Sequence, residues 1–269
     1  MIRGLPGETL ESFKDGLENM VGESNIETIY IFPCIVLPNA PMNLPEYKEK
    51  YAIKTIHSPI SLRHTSIQNE TMDEFENLIT NTSSFNFDDL KEMHVYSWVI
   101  LTFQNLGIMQ YVAKYYNQMY GLKFVDFYAE FLKYCRSKKS IFSEEYENLV
   151  EYMNIGYSGK GWNHFDSKIG DINWPIEEAS WLRLVSQKDT LSEDIYQFLI
   201  NFDKTLGYNT SEEILKDLTK LQVFLLSTFD KNESKSENLK FNWKKFFTNT
   251  EKVLAVSYTH LRAHETRGN

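Results

Sequence analysis

Thr28-Ile29-Tyr30-Ile31-Phe32-Pro33-Cys34-Ile35-Val36-Leu37 is a run of β-branched and aromatic residues that is apolar on both faces. A strand of that kind belongs inside a parallel sheet covered on both sides. Upstream, Ile2-Arg3 leads into Gly4-Leu5-Pro6-Gly7-Glu8-Thr9 and then Leu10–Met20, where Leu10, Phe13, Leu17 and Met20 recur at helical spacing. Strand stub, loop, helix and strand in that order are the pieces of an α/β unit. One stub and one full strand cannot bury each other, so neighbouring strands are expected upstream.

Beyond Leu37, the prolines of Pro38-Asn39-Ala40-Pro41-Met42-Asn43-Leu44-Pro45 hold a rigid turn and delay any helix to Glu46 or later. Residues up to about 70 read as extended or irregular, with Thr55–Ile60 a weak strand candidate. From Thr71 the spacing of apolar residues becomes helical. It predicts helices over Met72–Ile79, Phe87–Tyr120, Lys123–Ser137 and Ser143–Met153, then a loop rich in glycine and aromatics over Ile155–Pro175. Helices resume at Ile176–Ser186, Leu191–Thr205 and Ser211–Phe229. Asn238–Phe247 is expected as a strand or short helix with Phe241, Trp243 and Phe246 inward. Asp88 and Asp89 suit the first turn of their helix, and Gly121 suits a helix end. The segment Met93–Tyr115 is hydrophobic nearly all round, which marks a helix buried in a bundle. The expected class is α+β, mainly α, with a division near residue 70 and a helical domain over 71–250.

Bulk properties narrow the function. A chain of 269 residues that is 42% hydrophobic can bury a full core. The net charge of -9 disfavours binding to phosphate backbones or anionic lipid, so neither nucleic acid nor a membrane is expected as a partner. Cys34 and Cys135 lie far apart in apolar sequence, which suits a reduced, cytoplasmic protein rather than a disulfide scaffold. No signal-peptide pattern opens the chain. Its longest apolar stretches, Ile29–Leu37 and Val95–Ile108, fall short of the ~20 residues that a spanning helix requires.

The body uses lysine and rarely arginine: Arg3, Arg63, Arg136 and Arg183 are the arginines before residue 255. Residues 256–269 break that habit with two arginines, two histidines and no lysine. This tail resembles the conceptual translation of a sequencing adapter, and it is set aside from fold reasoning. His260 and His264 stand at i, i+4 as a metal pair would on a helix, but no third ligand is near in sequence.

Gly4-Leu5-Pro6-Gly7-Glu8-Thr9 places glycines where a backbone turns tightly, at the start of a helix whose free N–H groups can meet a ligand. It lacks the Lys-Ser/Thr of a P-loop. Taken with Leu37-Pro38-Asn39-Ala40-Pro41-Met42 at the end of the following strand, it resembles the closing segment of the barrel in cobalamin-binding radical S-adenosylmethionine (SAM) proteins. There, a Gly-Leu-Pro-Gly-Glu-Thr loop precedes a helix and a strand ending in Leu-Pro-Asn-x-x-Met. The stretch Trp98–Gly107, the Gly159-Lys160-Gly161-Trp162 loop and residues 170–179 also look like the helical C-terminal region of such proteins, so the resemblance covers residues 1–250.

The resemblance implies that residues 1–70 are the end of a partial (β/α) barrel and that 71–250 cover an active site. It implies SAM, a 4Fe-4S cluster and cobalamin as cofactors of the parent enzyme, and methyl transfer as its reaction. By the same resemblance, Ile2, Gly4 and Glu8 approach the adenosyl group, and Leu37, Pro38 and Asn39 stand beside the same pocket. The family's Cys-x-x-x-Cys-x-x-Cys motif has no counterpart here, and two distant cysteines cannot hold the cluster. The expectation is therefore a fragment without its own cofactors, inert alone, whose partner is the missing N-terminal half. The alternative is a stand-alone helical module that binds another protein.

Other candidates carry less. His57, His64 and His94 have no partners at ligand spacing and read as structural or surface residues. Cys34 is expected as a core residue with a weakly acidic thiol. Gly156-x-x-Gly159-x-Gly161 lacks the context of a dinucleotide site and is expected to shape a loop, with Trp162, Asp166, Asp171 and Trp174 available to line a substrate pocket.

Overall fold

The computed structural model describes residues 1–24, 26–66, 74–227 and 236–248, and the backbone of 256–262. Its elements are mainly helical with short strand pairs, the α+β class expected. In chain order they are β1 (Ile2–Arg3), α1 (Leu10–Glu18), β2 (Phe32–Pro33), α2 (Pro45–Lys50), β3 (Lys54–Pro59), β4 (Phe75–Asn81) and α3 (Phe87–Val99). Then come α4 (Gln110–Tyr120), α5 (Phe124–Ser137), α6 (Ile141–Ile155), β5 (Phe165–Asp166), β6 (Gly170–Asn173), α7 (Ile176–Ser186), α8 (Lys188–Leu206) and α9 (Glu212–Ser227). The last are β7 (Ser236–Phe241), α10 (Trp243–Thr248) and β8 (Val256–Arg262). The chain forms two compact units: Met1–Asn105 with Glu144–Leu182, and Leu106–Ser143 with Arg183–Asn269.

In the first unit, β1 and β2 pair in parallel, Ile2 with Phe32 and Arg3 with Pro33, with α1 between them in sequence. Thr9 caps α1: its hydroxyl accepts from the Ser12 N–H at 3.1 Å, while the Thr9 N–H donates to Ser12 Oγ at 2.8 Å. Phe13 and Leu17 are fully buried from the same helix. The run Thr28–Leu37 is less regular than its composition predicts. Ile29, Ile31, Cys34 and Val36 are buried, whereas Tyr30, Phe32 and Leu37 are 70%, 53% and 59% exposed. Burial alternates along the run but changes phase at Pro33, so Tyr30 and Phe32 leave one side open before it and Leu37 stands open at its end.

Two helix expectations fail here for local reasons. Of Met72–Ile79, residues 72 and 73 lie outside the described residues, and Phe75–Ile79 belong to β4, antiparallel to β3 from Lys54↔Asn81 to Pro59↔Phe75. Seven residues are too few for a helical period to outweigh a strand partner, and β-branched Ile79 and Thr80 suit the pleat. The single helix over Phe87–Tyr120 is broken in two by a π-helical stretch, Ile100–Asn105, and by Gly107 at φ +89°. Asn105 turns its amide to the Ile29 carbonyl at 2.7 Å. The all-round burial does hold: Met93, Val95, Tyr96, Trp98, Val99, Ile100 and Phe103 are at most 3% exposed. Asn86 starts α3, accepting from the N–H groups of Asp88 and Asp89.

The loop expected over Ile155–Pro175 carries structure of its own. A π turn at Gly156–Lys160 is followed by the antiparallel pair β5 and β6.

The second unit is a helical bundle around aromatic rings. Tyr116, Phe127 and Phe202 pack with centroids 4.7–6.0 Å apart, and Phe198 joins Phe127 and Phe131 at 5.7 and 5.2 Å. Gly121 and Gly207 end α4 and α8 in the left-handed conformation. Phe241, Trp243 and Phe246 are buried, and the segment that holds them is a strand followed by a short helix. Val256–Arg262, in the arginine-containing tail, pairs antiparallel with β7.

Candidate functional site

The first unit encloses a cavity of about 200 Å³. Arg3 enters it from β1, Cys34 and Ile35 from the end of β2, Arg63 from beyond β3 and His94 from α3. Tyr152 of α6, Tyr157, Trp162 and Asn173–Pro175 close the remaining side.

The aromatic wall is held by small residues and backbone bonds. A Cβ on Gly156 would stand 2.3 Å from the Trp162 ring, so only glycine lets that indole lie there. The backbone N–H of Trp162 donates to Ser61 Oγ at 2.9 Å, and the Tyr152 hydroxyl donates to the Trp162 backbone carbonyl at 3.1 Å. Asn173 fixes the loop from below: its Nδ2 donates to the Leu62 carbonyl at 2.8 Å and to Asn163 Oδ1 at 3.0 Å. Its Oδ1 accepts from the His164 N–H at 2.7 Å. Such a fully satisfied amide rigidifies what it joins.

The cavity holds the cations of Arg3 and Arg63 and the carboxyl of Glu76, whose pKa burial raises. Arg3 is 6% exposed, and burial pulls its pKa below the ordinary value. Its Nε has no hydrogen-bond partner, and neither does the indole Nε1 of Trp162. Arg63 pairs with Glu177 at 3.1 Å. His94 is held well below its usual pKa, first by burial and then by the charges of Arg3 and Arg63, so at neutral pH it is uncharged. Burial raises Tyr157, and the adjacent Arg3 partly offsets this. Burial also raises the Cys34 thiol, with the Glu8 carboxylate acting in the same direction. Cys34 is therefore protonated at neutral pH and is not a nucleophile. This set of groups places a buried guanidinium beside aromatic rings.

The residues implicated by motif lie next to this cavity but not in its lining. The Gly4 N–H donates to Glu8 Oε2 at 3.0 Å across the loop, and Gly4 has φ +85° with Leu90 3.1 Å from where a Cβ would sit. The half-buried Glu8 carboxyl is raised by desolvation, an effect that its two backbone bonds, to Gly4 and Leu5, oppose. Leu37, Pro38 and Asn39 are exposed in the following turn, where the Pro38 carbonyl accepts from Asn43 Nδ2 at 2.8 Å. Trp162 and Trp174 do line the cavity, whereas Asp166 and Asp171 do not. His64 binds Glu178 at 2.7 Å, and His57 stacks on Phe75 at 4.6 Å.

Arg3, His94, Tyr152, Tyr157 and Asn173 carry the cavity and were not read as site residues. One signal was present. Arginine is scarce in this chain, and two of the four before residue 255 face one another's field here.

Among the described residues, no cluster of three or more His, Cys, Asp or Glu side chains could hold a metal ion. Cys34 and Cys135 are both buried, free thiols, one in each unit. No described helix is long and apolar enough to cross a membrane.

No family model matches the chain. It is similar to cobalamin-dependent radical SAM methyltransferases. The protein of that description named TokK, from Streptomyces tokunonensis, is 22% identical over 265 residues, which are 92% of this chain and 38% of that protein. The 2-(S-pantetheinyl)-carbapenam-3-carboxylate methyltransferase of Streptantibioticus cattleyicolor is 22% identical over 268 residues, 93% of this chain and 39% of that protein. The chain thus spans less than two fifths of the length of these curated relatives.

Proposed function

We propose that this chain is the C-terminal part of a cobalamin-dependent radical SAM enzyme that transfers a methyl group, and that it is inert by itself. The observation that carries the reading is the similarity to two such methyltransferases over more than nine tenths of this chain. The parallel pair β1 and β2, separated in sequence by α1, supports residues 1–70 as the closing segment of a partial barrel. The open side at Tyr30 and Phe32 supports a neighbouring element supplied by the rest of the enzyme, in the cytoplasm.

On this reading, Gly4 and Glu8 approach the adenosyl group of SAM. Gly4 is suited to that role because its left-handed backbone and missing Cβ let a ligand come close, and Glu8 fixes the loop through the Gly4 N–H. Leu37, Pro38 and Asn39 form the exposed strand end beside it. The 4Fe-4S cluster does not fit the residues present, since Cys34 and Cys135 lie in separate units with protonated thiols. It belongs to another part of the enzyme, where it supplies the electron that cleaves SAM.

The test is the source locus and its full-length product. Sequencing upstream in frame is expected to reach a Cys-x-x-x-Cys-x-x-Cys motif, and the anaerobically purified product to bind a 4Fe-4S cluster and SAM. Glu8→Ala is expected to weaken SAM binding without cluster loss. An in-frame stop immediately upstream, or an unchanged SAM affinity in Glu8→Ala, would overturn the reading.

A further inference from the structure

We propose that the cavity of the first unit is a binding site for the carboxylate of a small, flat organic acid, with Arg3 as its charge partner. The inference does not rest on the radical SAM reading, because Gly4, Glu8, Leu37, Pro38 and Asn39 are not in the cavity lining.

Two buried donors without acceptors carry it. The Arg3 guanidinium cannot shed its proton in a protein, so it is a permanent cation that is only 6% exposed. Among the described residues no carboxylate pairs with it: Glu177 is taken by Arg63, and Glu76, which lines the cavity, does not reach it. Arg3 donates to the Tyr157 hydroxyl and feels Glu177 at a distance, but a buried guanidinium without a carboxylate of its own is costly, and buried polar atoms are nearly always satisfied. Nε of Arg3 is nevertheless orphaned, and so is Nε1 of Trp162 in the same cavity. Both are donors, so the missing partner is an acceptor. One buried cation calls for one negative charge.

The walls choose between anions. A carboxylate matches the planar fork of a guanidinium, whereas a phosphate dianion would carry a second charge that neutral His94 and an Arg63 already paired with Glu177 leave unmatched. The rings of Tyr152, Tyr157 and Trp162 lie 4.8–5.3 Å apart and give the remainder of the ligand flat apolar faces. Their hydroxyls stay protonated, since burial raises both tyrosines. Benzoate has this chemistry and a size that the cavity admits.

The test titrates the full chain with benzoate and with neutral, isosteric benzamide, following tryptophan fluorescence and saturation-transfer NMR. Benzoate is expected to bind at least about tenfold more tightly than benzamide, as loss of a charged hydrogen bond predicts. Arg3→Gln is expected to abolish that preference, and Trp162→Phe, which keeps the ring and removes the N–H, to weaken benzoate several-fold. Equal affinity for the two probes in the wild type, or no binding of benzoate, overturns the proposal and leaves water as the acceptor. Retained preference in a folded Arg3→Gln does the same. If Arg3→Gln fails to fold by circular dichroism, the wild-type preference and the Trp162→Phe loss decide.

Discussion

The Nδ1 of His94 stands 3.2 Å from the hydroxyl of Tyr157, inside a cavity that already holds the charges of Arg3 and Arg63. A proton on that imidazole would be buried beside two cations. The folded state therefore keeps His94 neutral to lower pH than the unfolded chain, where its pKa is about 6.5. Between that value and the lower folded one, the unfolded chain binds more protons. Stability is complete above pH ~6.5 and is lost as pH falls, by at most about 1.4 kcal/mol per pH unit from this group. Urea unfolding of the wild type and His94→Phe between pH 5 and 8 checks it: the difference between them is expected to be flat above pH ~6.5 and to slope below. A flat difference throughout would mean that His94 is not desolvated.

Gly156 is predicted to be the least replaceable position of the aromatic loop. A methyl there meets Cε3 and Cζ3 of Trp162 at 2.3 Å, and the ring is pinned by the bonds of its own backbone to Ser61 and Tyr152. Gly156→Ala is expected to cost about 1–3 kcal/mol, the usual range for overpacking, and to shift the tryptophan emission. Gly7→Ala is the contrast. A Cβ there meets nothing within 4 Å, so only the strain of its φ of +95° should register.

In the second unit, Asp217 ties β7 and α10 to α9. Its carboxylate accepts from the N–H groups of Lys240 and Phe241 and from the Trp243 indole at 2.8–3.1 Å, and it is 6% exposed. Asp217→Ala would strand these donors, at a cost of roughly 3 kcal/mol. Asp217→Asn keeps one acceptor oxygen and should lose less. Equal losses in urea unfolding would show that the charge, rather than the acceptor count, holds the strand.

The parts of this molecule that were legible in sequence are those decided locally. Ile176–Ser186 has the predicted bounds, and Gly121 and the acids of Asp88-Asp89 sit where a helix end and a helix start require them. Phe75–Asn81 was not legible, because its strand depends on Lys54–Pro59 as a partner and a seven-residue apolar pattern fits either period. The break at Ile100–Asn105 was hidden for a different reason: a segment buried on all sides keeps its composition whether the helix runs on or bulges. The cavity was legible only at Trp162 and Trp174. Arg3 sits within a motif read for its glycines and glutamate, and nothing local tells that its side chain turns inward to meet Tyr157 from a loop more than 150 residues away.

The open side of the run at Tyr30 and Phe32 sets the last expectation. Tyr30 and Phe32 stack with centroids 6.5 Å apart while 70% and 53% exposed, and Leu37 and Ile2 are 59% and 44% exposed near the same parallel pair. Cys34 and Val36 bond to β4, but at Tyr30 and Phe32 the bonds among the described residues go to the β1 end alone, and neighbouring apolar side chains there favour association with another strand or another copy. The isolated chain is therefore expected to self-associate, and sedimentation velocity should show species above the 31.7 kDa monomer that grow with concentration. Tyr30→Lys with Phe32→Thr keeps strand propensity while placing a charge on the face, and should return the chain to a monomer. Tyr30 is open to solvent whereas Phe32 also lines the cavity, so Tyr30→Lys alone should unfold with an unchanged cooperativity in urea. A wild-type chain that is monomeric at all concentrations would show that this face tolerates water, and would remove the open strand as support for a neighbouring element in the enzyme.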